Sequence, residues 1–352
     1  MSGSDHQPVS GHHGDGVAGV PWPLAALVVG FAACAALVLP NAFAAQAGNY
    51  AARLLPCVVP AVLGALLTAA LVRDRARPLA AASAMVRADG VRVAAGMLGY
   101  VLLLASYTTF KTAIPSVVPF YADSHLAAAD RALFGGRDAW MLLAGLPSGA
   151  RAVLHWLYGL PWLGYWILTA LVALTMPVGV LRTRYLWAFT LKLSVLGIVA
   201  AAAGSSVGPV LYDRVFGGET FAGLLSFMRE ADGVRALEGA DYLYASHVGG
   251  AQGVGVGISA FPSVHCAAVF LNALFWGRIN RLAGAVAWVF AALIFAGSVL
   301  TGWHYAADGL ASLAGIAVIW RISGVLSARQ DRPLPRRASI PDPRASEPVP
   351  AC

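Results

Sequence analysis

Two short runs carry the chemistry of this chain: Phe261-Pro262-Ser263-Val264-His265 and, further on, Gly302-Trp303-His304-Tyr305-Ala306-Ala307-Asp308. An imidazole can attack an electrophile or move a proton, and a carboxylate beside it can hold the ring in one tautomer so that the other nitrogen is free. Both runs sit at ends of long apolar segments, where histidine and aspartate can meet lipid headgroups. Their types and placement point to phosphoryl chemistry at a membrane surface.

The rest of the chain sets that placement. With 59% hydrophobic and 12% charged residues and a mean hydropathy of +0.69, the composition is not that of a soluble globular protein. Apolar stretches of about 20 residues, enough to cross a hydrocarbon core of about 30 Å, fall at roughly 22–39, 54–72, 92–110, 152–176, 185–203, 260–277, 282–300 and 305–326. The expected fold is an all-α, polytopic membrane helix bundle of about eight transmembrane helices.

Sorting Lys and Arg into alternate loops puts fifteen in one set, including Arg73, Arg92, Arg182, Arg184, Arg278 and Arg281, and eight in the other, whose loops are longer. Positive residues favour the cytoplasmic side. Both termini are therefore expected inside, with loops 111–151 and 204–259 outside. The membrane is the inner one in a bacterial host, with the histidines on its periplasmic face. The net charge of +7 follows from this topology and calls for no nucleic-acid partner.

The expected organisation is a cytoplasmic segment 1–21, N-terminal helices 22–110, a catalytic membrane domain 111–326 with its outer loops, and a Pro/Arg-rich disordered cytoplasmic tail 327–352. The first twenty residues hold no Lys or Arg, so the first apolar segment reads as a retained helix. Cys34, Cys57, Cys266 and Cys352 lack metal-ligand spacing and read as free thiols.

On this topology the sixth helix starts inward near His265, the seventh ends outward before His304, and the eighth starts inward around Asp308. All three side chains then share one face. His304 and Asp308 are four apart, which on one helix places them on the same side. Pro262 suits a first helical position. The Ser263 hydroxyl and the following N–H groups would face an incoming phosphate at the helix N-terminus. The Gly-rich stretch 249–257 would let backbone approach a ligand, as a flexible linker also would.

The chain resembles the type 2 phosphatidic acid phosphatase superfamily. Pro262, Ser263, Val264 and His265 match its second motif, Pro-Ser-Gly-His, with Val for Gly; His304 and Asp308 match the His-x3-Asp that ends its third. The resemblance implies a six-helix phosphatase-like catalytic core, with His304 as nucleophile, Asp308 as its orienting carboxylate and His265 as general acid. A phosphohistidine route needs neither metal nor cofactor.

Two arginines of that pattern are replaced. Lys111 to Pro119 has the length of the first motif, Lys-x6-Arg-Pro, but Val118 stands in the Arg position, and Ser298 stands in the third motif's Arg position. A phosphomonoester carries nearly two charges and a phosphodiester one, so losing two guanidiniums points to a diester. The chain is similar in this to the inositol phosphorylceramide synthase and sphingomyelin synthase branch, as it is in Asp130-Arg131-Ala132-Leu133-Phe134-Gly135 and Gly208-Pro209-Val210-Leu211-Tyr212. That branch implies an inositolphosphotransferase of sphingolipid type, moving a phospho-headgroup from a phospholipid donor to a lipid alcohol acceptor in the bilayer. Water as acceptor would make it a phosphatase or phosphodiesterase.

Other residues have two readings each. Lys111 supplies charge near the phosphate or anchors a helix end. Lys192 is expected to snorkel to the cytoplasmic surface. Asp130 and Arg131 form a pair or cap a short amphipathic segment. Tyr212 and Tyr244, with Asp213 and Asp241, read a polyol headgroup or are solvated loop positions. Trp187, Trp276, Trp303 and Trp320 read as an aromatic belt. Two rival classes are a metal site built from His265, His304 and Asp308, and a transporter or scaffold, for which no internal repeat is evident.

Overall fold

Proline in a first helical turn loses no hydrogen bond and has its φ already set, and five helices open this way, on Pro23, Pro40, Pro78, Pro161 and Pro209. The computed structural model describes residues 16–330 apart from 18, 231–232, 252 and 254; most of the expected N-terminal segment and tail lies outside the described residues. Gly16–Val17 (β1) and Val20–Pro21 (β2) pair antiparallel, a small departure from an all-α chain. Then come α1 (Trp22–Val38), α2 (Pro40–Arg73) and α3 (Pro78–Val117). At 40 residues α3 is about 60 Å long, so it runs well beyond the apolar stretch expected at 92–110.

Short helices follow: α4 (Asp123–Leu133), α5 (Ala139–Ala144) and α6 (Ser148–Leu157), then α7 (Leu160–Thr175). Next, α8 (Val180–Leu191) runs through a π-helical segment (Lys192–Ala200) into α9 (Ala201–Ala203). Helices α10 (Pro209–Phe216), α11 (Ala222–Glu230) and α12 (Val234–Val248) make an outer cluster, and α13 (Val264–Ile279), α14 (Arg281–Leu300) and α15 (Ala306–Gln330) complete the bundle.

Among the described residues four helices are long and apolar enough to cross a membrane: Pro78–Val117, Val180–Ala203, Arg281–Leu300 and Ala306–Arg329. The stretch expected as one span at 152–176 is instead α6 and α7, bent by 41°, which makes a fifth if counted as a broken span. Gly159 and Pro161 stand at that break. The other stretches expected to span lie in α1, α2 and α13, so length and composition support four or five spans where about eight were expected. Leu37, Leu98, Leu168, Val199 and Val289 remain exposed, as suits side chains facing lipid.

The main core gathers Leu103, Tyr185, Leu193, Phe275, Ile294 and Ile316 from α3, α8, the π segment, α13, α14 and α15. A second core, with Leu211, Leu224, Met228 and Tyr305, lies among α10, α11 and α12. Trp187 and Trp320 are buried and do not form the belt expected of them. The Arg92 guanidinium donates to Leu174 O and Met176 O at the end of α7, and Arg184 donates to Trp320 O.

Helices α13 and α14 are in close contact at Gly277 and Gly284, where a Cβ on Gly284 would stand 2.5 Å from the Gly277 Cα. Gly284→Val must push α14 off α13, and an overpacking cost of about 1–3 kcal/mol is expected, read as a lower thermal unfolding midpoint in detergent. Gly64→Ala, with no atom within 4 Å of the added Cβ, is the control.

Candidate active site

An α-helix begins with N–H groups that its own carbonyls cannot reach, and those of α15 are taken by two aspartates. Asp130, on α4, accepts from Ala306 N and Ala307 N, each at 2.8 Å. Asp308, in the first turn of α15, reaches back to accept from Tyr305 N at 3.0 Å, as in a capping box. Asp130 thus caps a helix, but α15 rather than its own amphipathic segment. Arg131 pairs with Asp138 at 2.7 Å.

His304 lies in the turn before α15, not on the helix with Asp308 as the four-residue spacing suggested. The two still meet: His304 Nδ1 is 3.3 Å from Asp308 Oδ2 and 2.9 Å from Ala260 O. A carbonyl can only accept, so Nδ1 carries a proton and shares it between these oxygens; in the neutral ring the lone pair is then on Nε2. Asp308 is fully buried and His304 nearly so.

Ala260 is held in turn by Ser206, which accepts from Ala260 N with its carbonyl and from Phe261 N with its hydroxyl. Asp123, also on α4, accepts from Val207 N and Gly208 N at 2.9 Å and from the Tyr305 hydroxyl at 3.1 Å. Gly208 has a φ of +83, and a Cβ there would lie 2.5 Å from Trp303 O, so both backbone conformation and space require glycine. Burial pushes the Asp123 and Asp130 carboxyls above the usual carboxylate range, and the N–H groups they accept oppose that shift. Burial, then Asp123, push the Tyr305 phenol up, which keeps it a donor.

His265 is in the first turn of α13, whose N-cap is Ser263. The helix starts at Val264, two residues later than Pro262 suggested. The Ser263 hydroxyl caps the helix, accepting from Cys266 N at 3.2 Å. Ser312 ties this turn to α15 by donating to Ser263 O and Asp308 O. The break between α6 and α7 places Tyr158 and Trp162 on His265, with ring centroids at 5.6 and 4.3 Å, and Trp162 Nε1 donates to His265 O. The rings of His265 and His304 stand 5.8 Å apart.

The Lys111 ammonium is 5.9 Å from the Tyr107 ring centroid, and its stem packs beside Gly257. Lys192 does not snorkel to a surface; it is fully buried. Ser298 is buried, donates to Phe295 O and contacts Cys266 Sγ; Val118 is half-buried, and its backbone carbonyl accepts from Ser205. Tyr212 packs against Phe216 and Phe221, and Tyr244 lies under the Arg214 guanidinium at 5.1 Å; packing within the outer cluster sets both rings. Cys34 is exposed and Cys266 buried, both as free thiols; the Cys57 side chain and Cys352 lie outside the described residues. Among the described residues no three His, Cys, Asp or Glu side chains form a group able to hold a metal ion.

Sequence reasoning missed Asp123, Ala260, Tyr158 and Trp162. For the first there was a signal: Asp123 and Asp130 are seven apart on α4, two helical turns, and so share a face.

A family model described as the PAP2 superfamily matches residues 124–322, more than half of the chain. No curated protein and no solved structure matches it.

Asp130→Ala leaves two helix N–H groups without acceptors. A loss of about 1–3 kcal/mol is expected, with a smaller loss in Asp130→Asn, which keeps one acceptor oxygen; thermal unfolding in detergent reads both.

Proposed function

The chain belongs to the PAP2 superfamily, whose match takes in both histidines and Asp308, and on that footing we propose that it is a membrane lipid phosphotransferase that moves a phospho-headgroup from a phospholipid to a lipid alcohol. The observation that carries this reading is the placement of His304 Nδ1 against Ala260 O and Asp308, with the His265 ring nearby. The His304 Nδ1–H is committed to Ala260 O and Asp308, and its free Nε2 shares a site with His265, whose ring is 5.8 Å away.

In the first half-reaction His304 Nε2 attacks the donor phosphorus, the bond from phosphorus to the diacylglycerol oxygen breaks, and His265 gives that oxygen its proton. His304 then carries the headgroup on a phosphorus–nitrogen bond. In the second, His265 takes the proton of the acceptor hydroxyl, whose oxygen attacks phosphorus and frees His304. Asp308 holds the ring and offsets the charge that forms on it. Lys111 supplies positive charge beside the phosphoryl group.

Val118 and Ser298, in place of two guanidiniums, favour a phosphodiester, and with it the inositol phosphorylceramide synthase-like branch, inositol phosphate as headgroup and ceramide or diacylglycerol as acceptor. Arg184 donates to Trp320 O, far along α15 from the turn of His304, and Arg92 donates to Met176 O at the end of α7 away from Trp162 and His265. This supports a site on the outer face, periplasmic in a bacterium, with termini in the cytoplasm.

Purified protein in detergent is incubated with labelled phosphatidylinositol, with and without ceramide or diacylglycerol. A new phospholipid is expected, lost in His304→Ala and reduced about a hundred- to ten-thousand-fold in His265→Ala. Release of headgroup phosphate alone would make the protein a hydrolase, and no turnover of any donor, with lipid flux that survives His304→Ala, would make it a transporter.

A further inference from the structure

Below the histidine pair, the interior holds hydrogen-bond donors with nothing to donate to. Lys192 opens the π-helical segment in the middle of the span Val180–Ala203. It is fully buried, and its Nζ makes no hydrogen bond among the described residues. The ammonium stands 4.4 Å from the ring centroid of Phe189 and 4.9 Å from that of Trp166. Tyr100 stacks on Phe189 and tilts against Trp166. The Tyr100 hydroxyl and Trp166 Nε1 are also buried without a partner among the described residues.

This group adjoins the site. Trp166 stacks on Trp162 at 5.5 Å, and Trp162 packs on His265 at 4.3 Å. The donors therefore sit one aromatic layer from the imidazole.

An ammonium in an apolar interior is strongly unfavourable without a partner, and contact with ring faces offsets only part of that. Intramembrane lysines and π-helical segments are both concentrated at functional sites. An ammonium and an indole N–H can donate and cannot accept, and the one acceptor in the group, the Tyr100 oxygen, has too few lone pairs for all of its donors. What it lacks is a further acceptor, and the ammonium favours an anionic one. The site above it has lost cations at Val118 and Ser298, the two positions where arginine would otherwise meet phosphate.

We propose that Lys192, with Tyr100 and Trp166, forms a binding site for the anionic phosphoryl oxygens of the substrate, supplying from below the charge that two absent guanidiniums do not. This rests on the reading of the histidine pair as a phosphoryl-transfer site.

The test uses the full chain in detergent micelles, with calorimetric titration of inorganic phosphate in one arm and of short-chain phosphatidylinositol in the other. Lys192→Met keeps length and apolar packing and should fold, checked by elution and thermal midpoint. It is expected to weaken binding tenfold or more, Lys192→Arg to recover most of the loss, and Tyr100→Phe to weaken binding about two- to tenfold. A loss in both arms assigns the site to phosphoryl oxygens as such, and a loss with the lipid alone assigns it to the lipid-borne diester. Binding of both ligands by Lys192→Met and Tyr100→Phe within twofold of wild type overturns the proposal, as does a wild-type chain that binds neither. Binding that depends on Lys192 without transfer to any acceptor would sink the transferase reading and leave this one standing.

Discussion

Everything at the site depends on one proton, the one on His304 Nδ1. The Ala260 carbonyl 2.9 Å away can only accept it, and the Asp308 carboxylate at 3.3 Å shares it. With that proton fixed, the ring has one orientation and one free lone pair. A carboxylate alone would fix the ring less well, because a carboxylate can itself be protonated; a backbone carbonyl cannot. Ala260 O is therefore the firmer of the two partners, and the loop that presents it matters as much as the motif that names it.

The outer helices explain how that loop is held. Helix α4 lies between two pieces of backbone that must meet, and each of its two aspartates satisfies N–H groups of one of them: Asp123 those of 207–208, Asp130 those of 306–307. Buried N–H groups need acceptors, so this arrangement is a condition of folding as well as of the site's geometry. Tyr305 closes the link, donating to Asp123 while its ring fills the outer core beside His304. On the other side Ser312 binds α15 to the turn that carries His265. The two histidines thus belong to one hydrogen-bonded unit, although one lies in the turn before α15 and the other on α13.

How much of this could be read in advance depended on how local each signal was. The helical membrane character follows from composition, and His265, His304 and Asp308 stand out by spacing and by position at helix ends. The structure does bring these three together. The reasons they meet were partly misjudged, because His304 lies in a turn and Ser263 caps a helix, and both facts hang on where helices start. Partners supplied by backbone, such as Ala260 O, have no residue type to betray them. Partners from distant segments, such as Tyr158 and Trp162, look like ordinary membrane aromatics until the break between α6 and α7 turns them inward. A long stem usually lets a lysine snorkel; Lys192 instead lies buried against the rings of Phe189 and Trp166.

The most direct measurement is to quench the protein during turnover of a phospholipid labelled in its phosphorus and look for label on histidine. Phosphohistidine is lost in acid and survives alkali, which separates it from a serine or aspartyl phosphate. An alkali-stable, acid-labile label that maps to His304, is absent from His304→Ala and is depleted when an acceptor lipid is added is the expected result. Label on another residue, or turnover that persists in His304→Ala, would contradict a mechanism built on the free Nε2 of that ring.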